Sequence, residues 1–179
     1  MTSSPDQHAA MMAPSPWVVR HLPLVPAGGR VLDLACGNGR HARLFVTAGY
    51  AVVAVDRDSA AISVLQGVPG ITALQSDLED SDWPLAGERF AGIVVTNYLW
   101  RPRLPDVCAL LGSGGVLIYE TFMVGNEAYG KPSSPQFLLR PGELRAVAKA
   151  GGLREIAFAE GYTDSPKPAL RQAICAVRE

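Results

Sequence analysis

Between Val31 and Arg40 the chain reads VLDLACGNGR, an apolar run that closes on two glycines. Glycine has no side chain to hold a ligand off, so such a turn can bring backbone N–H groups against whatever binds there. Gly37-Asn38-Gly39-Arg40-His41-Ala42 spells G-x-G-x-x-A, and Asp56 follows Gly37 by 19 residues. That spacing fits a dinucleotide-binding turn, with a pyrophosphate on the helix N-terminus and the acid on a ribose. Asp33 points elsewhere. It stands in the run just before the turn, where dinucleotide sites are apolar, and a carboxylate there opposes a diphosphate by on the order of 1 kcal/mol or more. The same carboxylate suits a cationic, phosphate-free nucleoside such as S-adenosylmethionine, which carries a sulfonium and an ammonium.

VLDLACGNG resembles the first motif of the class I S-adenosylmethionine-dependent methyltransferases, in the variant D-x-x-C-G-x-G formed by Asp33, Cys36, Gly37 and Gly39. Ala35 stands where that pattern has its first glycine. The resemblance runs from about residue 15 to 178 and implies S-adenosylmethionine as cofactor. It implies that Asp56 accepts hydrogen bonds from both ribose hydroxyls, a task suited to a group that accepts and does not donate. It also implies that Arg57 lies beside the adenine, that Asp77 and the Leu78 N–H bond the adenine edge, and that Asn97 lies below the sulfonium. GNGRHA, the Tyr-Glu-Thr-Phe segment and the short length are most similar to the tellurite-resistance-type small bacterial methyltransferases. Plainer readings stand beside these. Asp33 could cap the turn, Asp56 and Asp58 could cap a helix, and Asp77 could belong to a solvated run with Glu79, Asp80 and Asp82.

Methyl transfer from a sulfonium is an in-line displacement from an activated donor, so placing the acceptor and excluding water are the main tasks. TNYLWRP lacks the D/N-P-P-Y/F pattern of enzymes that methylate nucleobase amino groups. Tyr98 and Trp100 read as an aromatic wall for the acceptor. Glu120 and Tyr98 are the candidate catalytic groups, with an ion pair to Arg101 or Arg103 as the alternative for Glu120. Residues 122–140 form a long Gly- and Pro-bearing stretch without clear period, expected to be a partly mobile specificity loop carrying Tyr129 and Phe137. Trp17 and Arg20 are placed to close over the methionine end, with core anchoring as the alternative for Trp17. His41 either caps or touches substrate. The competing functions are a non-catalytic S-adenosylmethionine-binding module and an NAD(P)-dependent oxidoreductase, the latter opposed by Asp33 and by the lack of a Tyr-x-x-x-Lys pair. A small-molecule acceptor is expected because no large inserted domain is present, with RNA or protein acceptors left open.

These residues need strand ends to carry them. RVLDLA (30–35), AVVAVD (51–56), ITALQ (71–75), FAGIVVTN (90–97) and GGVLIYETF (114–122) read as strands, several continuously apolar as in a doubly covered parallel sheet. Helices are expected at GRHARLFVTAG, DSAAISVLQG, from Pro105 to Gly112 and at GELRAVAKAGG. An N-terminal helical segment over 15–29 opens at Ser15-Pro16 and breaks before Pro23. LREIAFAEGY and LRQAICAVR would pair as an antiparallel edge hairpin. The expected fold is α/β, a Rossmann-like, doubly wound, mostly parallel seven-stranded sheet in one domain spanning 1–179, with 1–14 as a flexible leader.

Composition narrows the rest. Apolar residues at 48% and charged ones at 18% describe a folded domain rather than a disordered chain. A net charge of −1 gives no electrostatic footprint for nucleic acid or an acidic membrane. Residues 51–100 hold two Arg against seven acids, and residues 101–150 hold six Arg or Lys against four acids. Cys36, Cys108 and Cys175 are too far apart for a metal-ligand motif, and no metal is expected. No signal peptide or membrane-length apolar run is read, so a cytoplasmic location is expected.

Overall fold

The computed structural model describes residues 13–80 and 83–179. Most of the expected leader, and Asp82, lie outside the described residues. Seven strands make one sheet: β1 (Arg30–Leu34), β2 (Ala51–Asp56), β3 (Ile71–Gln75), β4 (Phe90–Thr96), β5 (Leu111–Phe122), β6 (Leu153–Thr163) and β7 (Ala169–Arg178). Their order is β3-β2-β1-β4-β5-β7-β6. The first five are parallel; β7 runs antiparallel to both β5 and β6. The fold is therefore the mostly parallel, doubly wound sheet expected, with β6 as the outer strand of the C-terminal hairpin.

Two-residue periodicity builds both layers of the core. Leu32, Leu34, Val53, Val55, Ile93 and Val95 point to one face. Val31, Val52, Ala54 and Val94 point to the other. Helices α1 (Pro16–His21), α2 (Arg40–Thr47) and α3 (Ser59–Ser63) cover the second face through Val18, Phe45 and Ile62. Helices α4 (Leu104–Ala109) and α5 (Glu143–Ala150) cover the first through Val107 and Leu144. Each fully buried side chain of this size contributes roughly 1.5–3 kcal/mol. Strand order reverses beside β1, whose neighbours are β2 and β4, and in open α/β sheets a crevice opens at the carboxyl ends there.

Several boundaries differ from expectation for identifiable reasons. α1 ends at His21, and only a single 3-10 turn, Leu22–Leu24, follows before Val25 becomes extended, because Pro23 supplies no N–H. α3 stops at Ser63, well before Gly67. β5 begins at Leu111 rather than 114, since its register against β4 shifts across Gly112–Gly115. At Gly115 a Cβ would lie 2.9 Å from the Phe90 carbonyl, so that close approach needs glycine.

The stretch 122–140 is tied down rather than loose. It contains 3-10 turns at Asn126–Ala128 and Pro135–Phe137 and a bridge between Met123 and Leu139. Asn126 is buried, donating to the Pro132 carbonyl at 3.0 Å and accepting from the Leu170 N–H at 3.2 Å. Arg101 donates to the carbonyls of Gln136 (2.8 Å) and Leu138 (2.7 Å) and grips Glu143 with two further bonds. Such a fork fixes direction as well as distance.

Candidate active site

Two cavities open along the carboxyl ends of the parallel strands, of about 680 and 970 Å³. Arg40, Asn97, Pro132 and Phe137 line both, so the two spaces meet at that rim.

The smaller cavity is made by the ends of β1 to β4. Ala35, Cys36, Gly37, Asp56, Arg57, Asp77, Leu78, Asn97 and Tyr98 line it, which brings together most of the expected cofactor residues. Ala35 has φ 54°, a left-handed conformation that is costly for a residue with a Cβ. The two glycines of the turn do different things. A Cβ on Gly39 would meet Leu65 Cδ2 at 2.5 Å, so Gly39 serves packing and does not line the cavity. A Cβ on Gly37 would meet nothing within 4 Å, so Gly37 leaves space open above the turn.

Asp33 takes a different place from the one its expected role requires. It is 1% exposed, lines neither cavity, and accepts from the Ala42 N–H at 2.8 Å. Burial outweighs that bond and pushes its carboxyl up to about 7, so near neutral pH its charge is divided between two forms. The preference against a diphosphate therefore has another physical basis. The N–H of Ala42 is held by Asp33, and the N–H of Gly37 donates to Asp56 Oδ2 at 2.8 Å. Two donors that a phosphate would seek at a helix start already face carboxylates.

Asp56 also accepts from the Asp58 N–H at 3.0 Å through Oδ1, while Asp58 itself caps α3. Its carboxylate remains at the cavity wall with lone-pair capacity beyond these bonds. Arg57 and Asp77 approach at 4.0 Å as a largely exposed pair. Leu78 is buried and gives the cavity an apolar wall.

Asn97 ends β4 with φ 57°, its N–H bonded to the Glu120 carbonyl at 3.0 Å and its Oδ1 accepting from Arg171 Nη1 at 2.7 Å. Tyr98 keeps its hydroxyl buried without a partner among the described residues, and burial first, then Glu79 and Asp77, pushes its pKa up. A phenol in that state stays protonated at neutral pH, so Tyr98 can donate but cannot act as a base.

The larger cavity lies between α1, the 122–140 stretch and the β6–β7 hairpin. Glu120, Trp17, Phe122, Phe137 and Arg171 are among its walls. Glu120 is not tied as its alternative required: Arg101 pairs with Glu143 and Arg103 with Asp106. Trp17 both lines this cavity and anchors α1, donating from its indole to the Ile174 carbonyl at 3.2 Å.

Four residues offered for substrate contact line neither cavity. Trp100 lines neither cavity: beyond the left-handed turn at Asn97, Leu99 takes the cavity wall and Trp100 begins the next turn. Tyr129 is 47% exposed and packs on Tyr162 with ring centroids 5.5 Å apart, outside both cavities. His41 is buried, accepting the Ser15 N–H on Nε2 at 3.0 Å, and burial lowers its imidazole to about 3. It is a neutral strut between α1 and α2, away from any substrate. Arg20 likewise lines neither cavity.

Sequence reasoning passed over Arg40 and Arg171. Arg171 was visible only as one cation in the apolar run LRQAICAV; the pairing of Phe122 with Arg171 across β5 and β7 brings it to the site. Its guanidinium stacks on Phe122, 4.0 Å from the ring centroid.

Residues 31–115 match a family described as methyltransferase domain. No curated protein matches the chain. Among solved structures, TehB from Haemophilus influenzae is similar, with a TM-score of 0.71 and 21% identity, covering 91% of this chain and 61% of that one. The chain thus spans less than two thirds of that protein's length. A TehB-like SAM-dependent methyltransferase from Corynebacterium glutamicum aligns with a TM-score of 0.65 and 22% identity, covering 91% and 88%. The glycopeptide N-methyltransferase MtfA complexed with S-adenosylhomocysteine aligns with a TM-score of 0.62 and 18% identity, covering 91% and 88%.

Proposed function

We propose, from the premise that this chain carries a methyltransferase domain and has the fold of S-adenosylmethionine-dependent methyltransferases, that it methylates a small molecule held in the larger cavity. The observation that carries this reading is the meeting of the two cavities at Asn97 and Phe137. One space suits a nucleoside and the other an acceptor, with a shared rim where a group could pass between them.

The residues of the smaller cavity fit the cofactor. Gly37 leaves open room, Asp56 offers acceptor oxygens to a diol, Leu78 gives an apolar wall, and Asp77 stands at the same edge. Bound there, S-adenosylmethionine supplies a methyl group already activated on a sulfonium. The chain's own part is then positional. Asn97 is fixed at the rim by Glu120 and Arg171, and Phe137 is held in place through the Arg101 bonds to its neighbours. Trp17, Phe122 and Phe137 supply apolar surface that excludes water from the transfer point. Glu120 is the carboxylate placed to receive a proton if the acceptor carries one.

Ligand-dependent melting tests the reading, because a ligand of the native state stabilises by RT ln(1 + [L]/Kd). S-adenosylhomocysteine should raise the melting temperature while NAD and NADP should not. Stabilisation by NAD alone would overturn the proposal. Turnover of labelled S-adenosylmethionine against thiol, amine, carboxylate and chalcogen acceptors separates an enzyme from a non-catalytic binder, the second reading, which saturable binding without transfer would favour.

A further inference from the structure

The larger cavity contains a cation, Arg171, with no ion-pair partner among the described residues. It sits on β7 with its Nε buried and, among those residues, unbonded, while Nη1 donates to Asn97. Among the described residues no carboxylate forms an ion pair with it. Glu120, the acid that acts on it, stands outside salt-bridge range, and Arg40 acts on it as a like charge. The cavity's charged lining is Arg40, Lys131, Lys167 and Arg171 against Glu120 and Glu160. Glu160 accepts the Gly142 N–H at 2.7 Å and keeps its charge, and with Arg40 set aside because it has contacts of its own, cations still outnumber acids three to two in this lining. The buried Nε lacks an acceptor, and among the described residues the guanidinium bonds only the side-chain carbonyl oxygen of Asn97.

Size and surface restrict what that anion belongs to. A space of about 970 Å³ is of the volume that drug-sized ligands occupy, and an inorganic oxyanion would leave most of it unfilled. Trp17, Phe122 and Phe137 line it, and aromatic faces reward an apolar body with aryl or alkyl surface. Arg171 Cζ lies 4.0 Å from the Phe122 ring centroid, which holds the cation against the aromatic wall of the cavity.

Resting on the methyltransferase reading above, we propose that the acceptor is an organic acid whose carboxylate is bound by Arg171 and whose apolar body lies against Trp17, Phe122 and Phe137. Arg171 is then the residue that sets acceptor specificity, and Asn97 links that choice to the cofactor side through its 2.7 Å bond.

The test uses the full chain saturated with S-adenosylhomocysteine, followed by calorimetry and thermal melting. The probes are benzoate, 4-hydroxybenzoate, cinnamate and decanoate, their primary amides, and phosphate and selenite as small oxyanions. Loss of a charge-assisted contact predicts that acids bind at least about tenfold tighter than the matching amides. Arg171→Gln should erase that preference, and Arg171→Lys should restore part of it, each measured on protein saturated with S-adenosylhomocysteine so that a change in cofactor affinity passed through Asn97 does not enter the comparison. If R171Q does not fold, the wild-type contrast of acid with amide, together with R171K, still decides. Amides binding as well as acids, a preference that survives in a folded R171Q, binding by phosphate or selenite alone, or no binding by any acid would each overturn the assignment. A wild-type chain that takes up no S-adenosylhomocysteine overturns the methyltransferase reading and this assignment with it; acids failing while the cofactor product binds overturns the assignment alone.

Discussion

The two cavities are built in opposite ways. The smaller one is made by chain turns that follow directly from β1, β2, β3 and β4, and its acid Asp56 faces backbone donors close by in space, those of Gly37 and Asp58, while Asp33 holds the Ala42 N–H behind the wall. The larger one is assembled from α1, the 122–140 stretch and the C-terminal hairpin. Its key contacts join residues far apart in sequence, such as Trp17 with Ile174 and Asn97 with Arg171. One half is therefore rigid because local backbone groups hold it. The other depends on tertiary packing, and can take up different side chains without disturbing the glycine turn after β1.

The largest effect expected is from Asp56→Ala. On the proposal that Asp56 serves both ribose hydroxyls, removing its carboxylate should cost about 3 kcal/mol or more, or at least about a hundredfold in S-adenosylhomocysteine affinity measured by calorimetry. The melting temperature should fall as well, because the Gly37 and Asp58 N–H groups lose their acceptor. Affinity within threefold of wild type, as a rough bound, would remove Asp56 from the cofactor half.

Asp33→Asn comes next, and its effect depends on pH. The folded carboxyl is raised to about 7 from 3.8, so between those values the native state holds a proton that the unfolded chain has released. Wild-type stability from this group is thus present at low pH and lost as pH rises towards 7. Relative to wild type, the Asn variant should gain on the order of a few kcal/mol between about pH 4 and 7, read from denaturant melts at each pH. A flat difference would mean that Asp33 is charged throughout.

Trp17→Phe separates the halves. It keeps an apolar ring at the larger cavity and loses the bond to the Ile174 carbonyl, so stability should drop by about 1 kcal/mol with cofactor affinity unchanged. Coupled loss of S-adenosylhomocysteine binding would show that α1 belongs to both sites. The smallest effect belongs to Ala35→Gly. Relief of the left-handed strain is partly offset by the freer unfolded chain, leaving a gain of about 0.5 kcal/mol in chemical denaturation.

How legible each half was in the sequence follows from the same contrast. Five parallel strands could be placed because their apolar runs end at punctuated turns, and Asp56, Asp77 and Asn97 could be ordered along successive strand ends. Asp33 was correctly singled out, but which way it pointed was not readable, since a residue inside a short strand faces one layer or the other according to pairing. Trp100 and Tyr129 look like wall residues by type, yet a left-handed turn and a ring contact with Tyr162 carry them away.

By itself the chain of residues determined the layered sheet, the glycine turn and the acids at its rim, because side-chain period and turn chemistry act over a few neighbours. Only tertiary structure decided that Arg171 would reach Asn97, 74 residues away, and that the 122–140 stretch would be clamped by Arg101. Those contacts rest on strand order, with β7 inserted beside β5, and strand order is set by the packing of the whole sheet rather than by any local run.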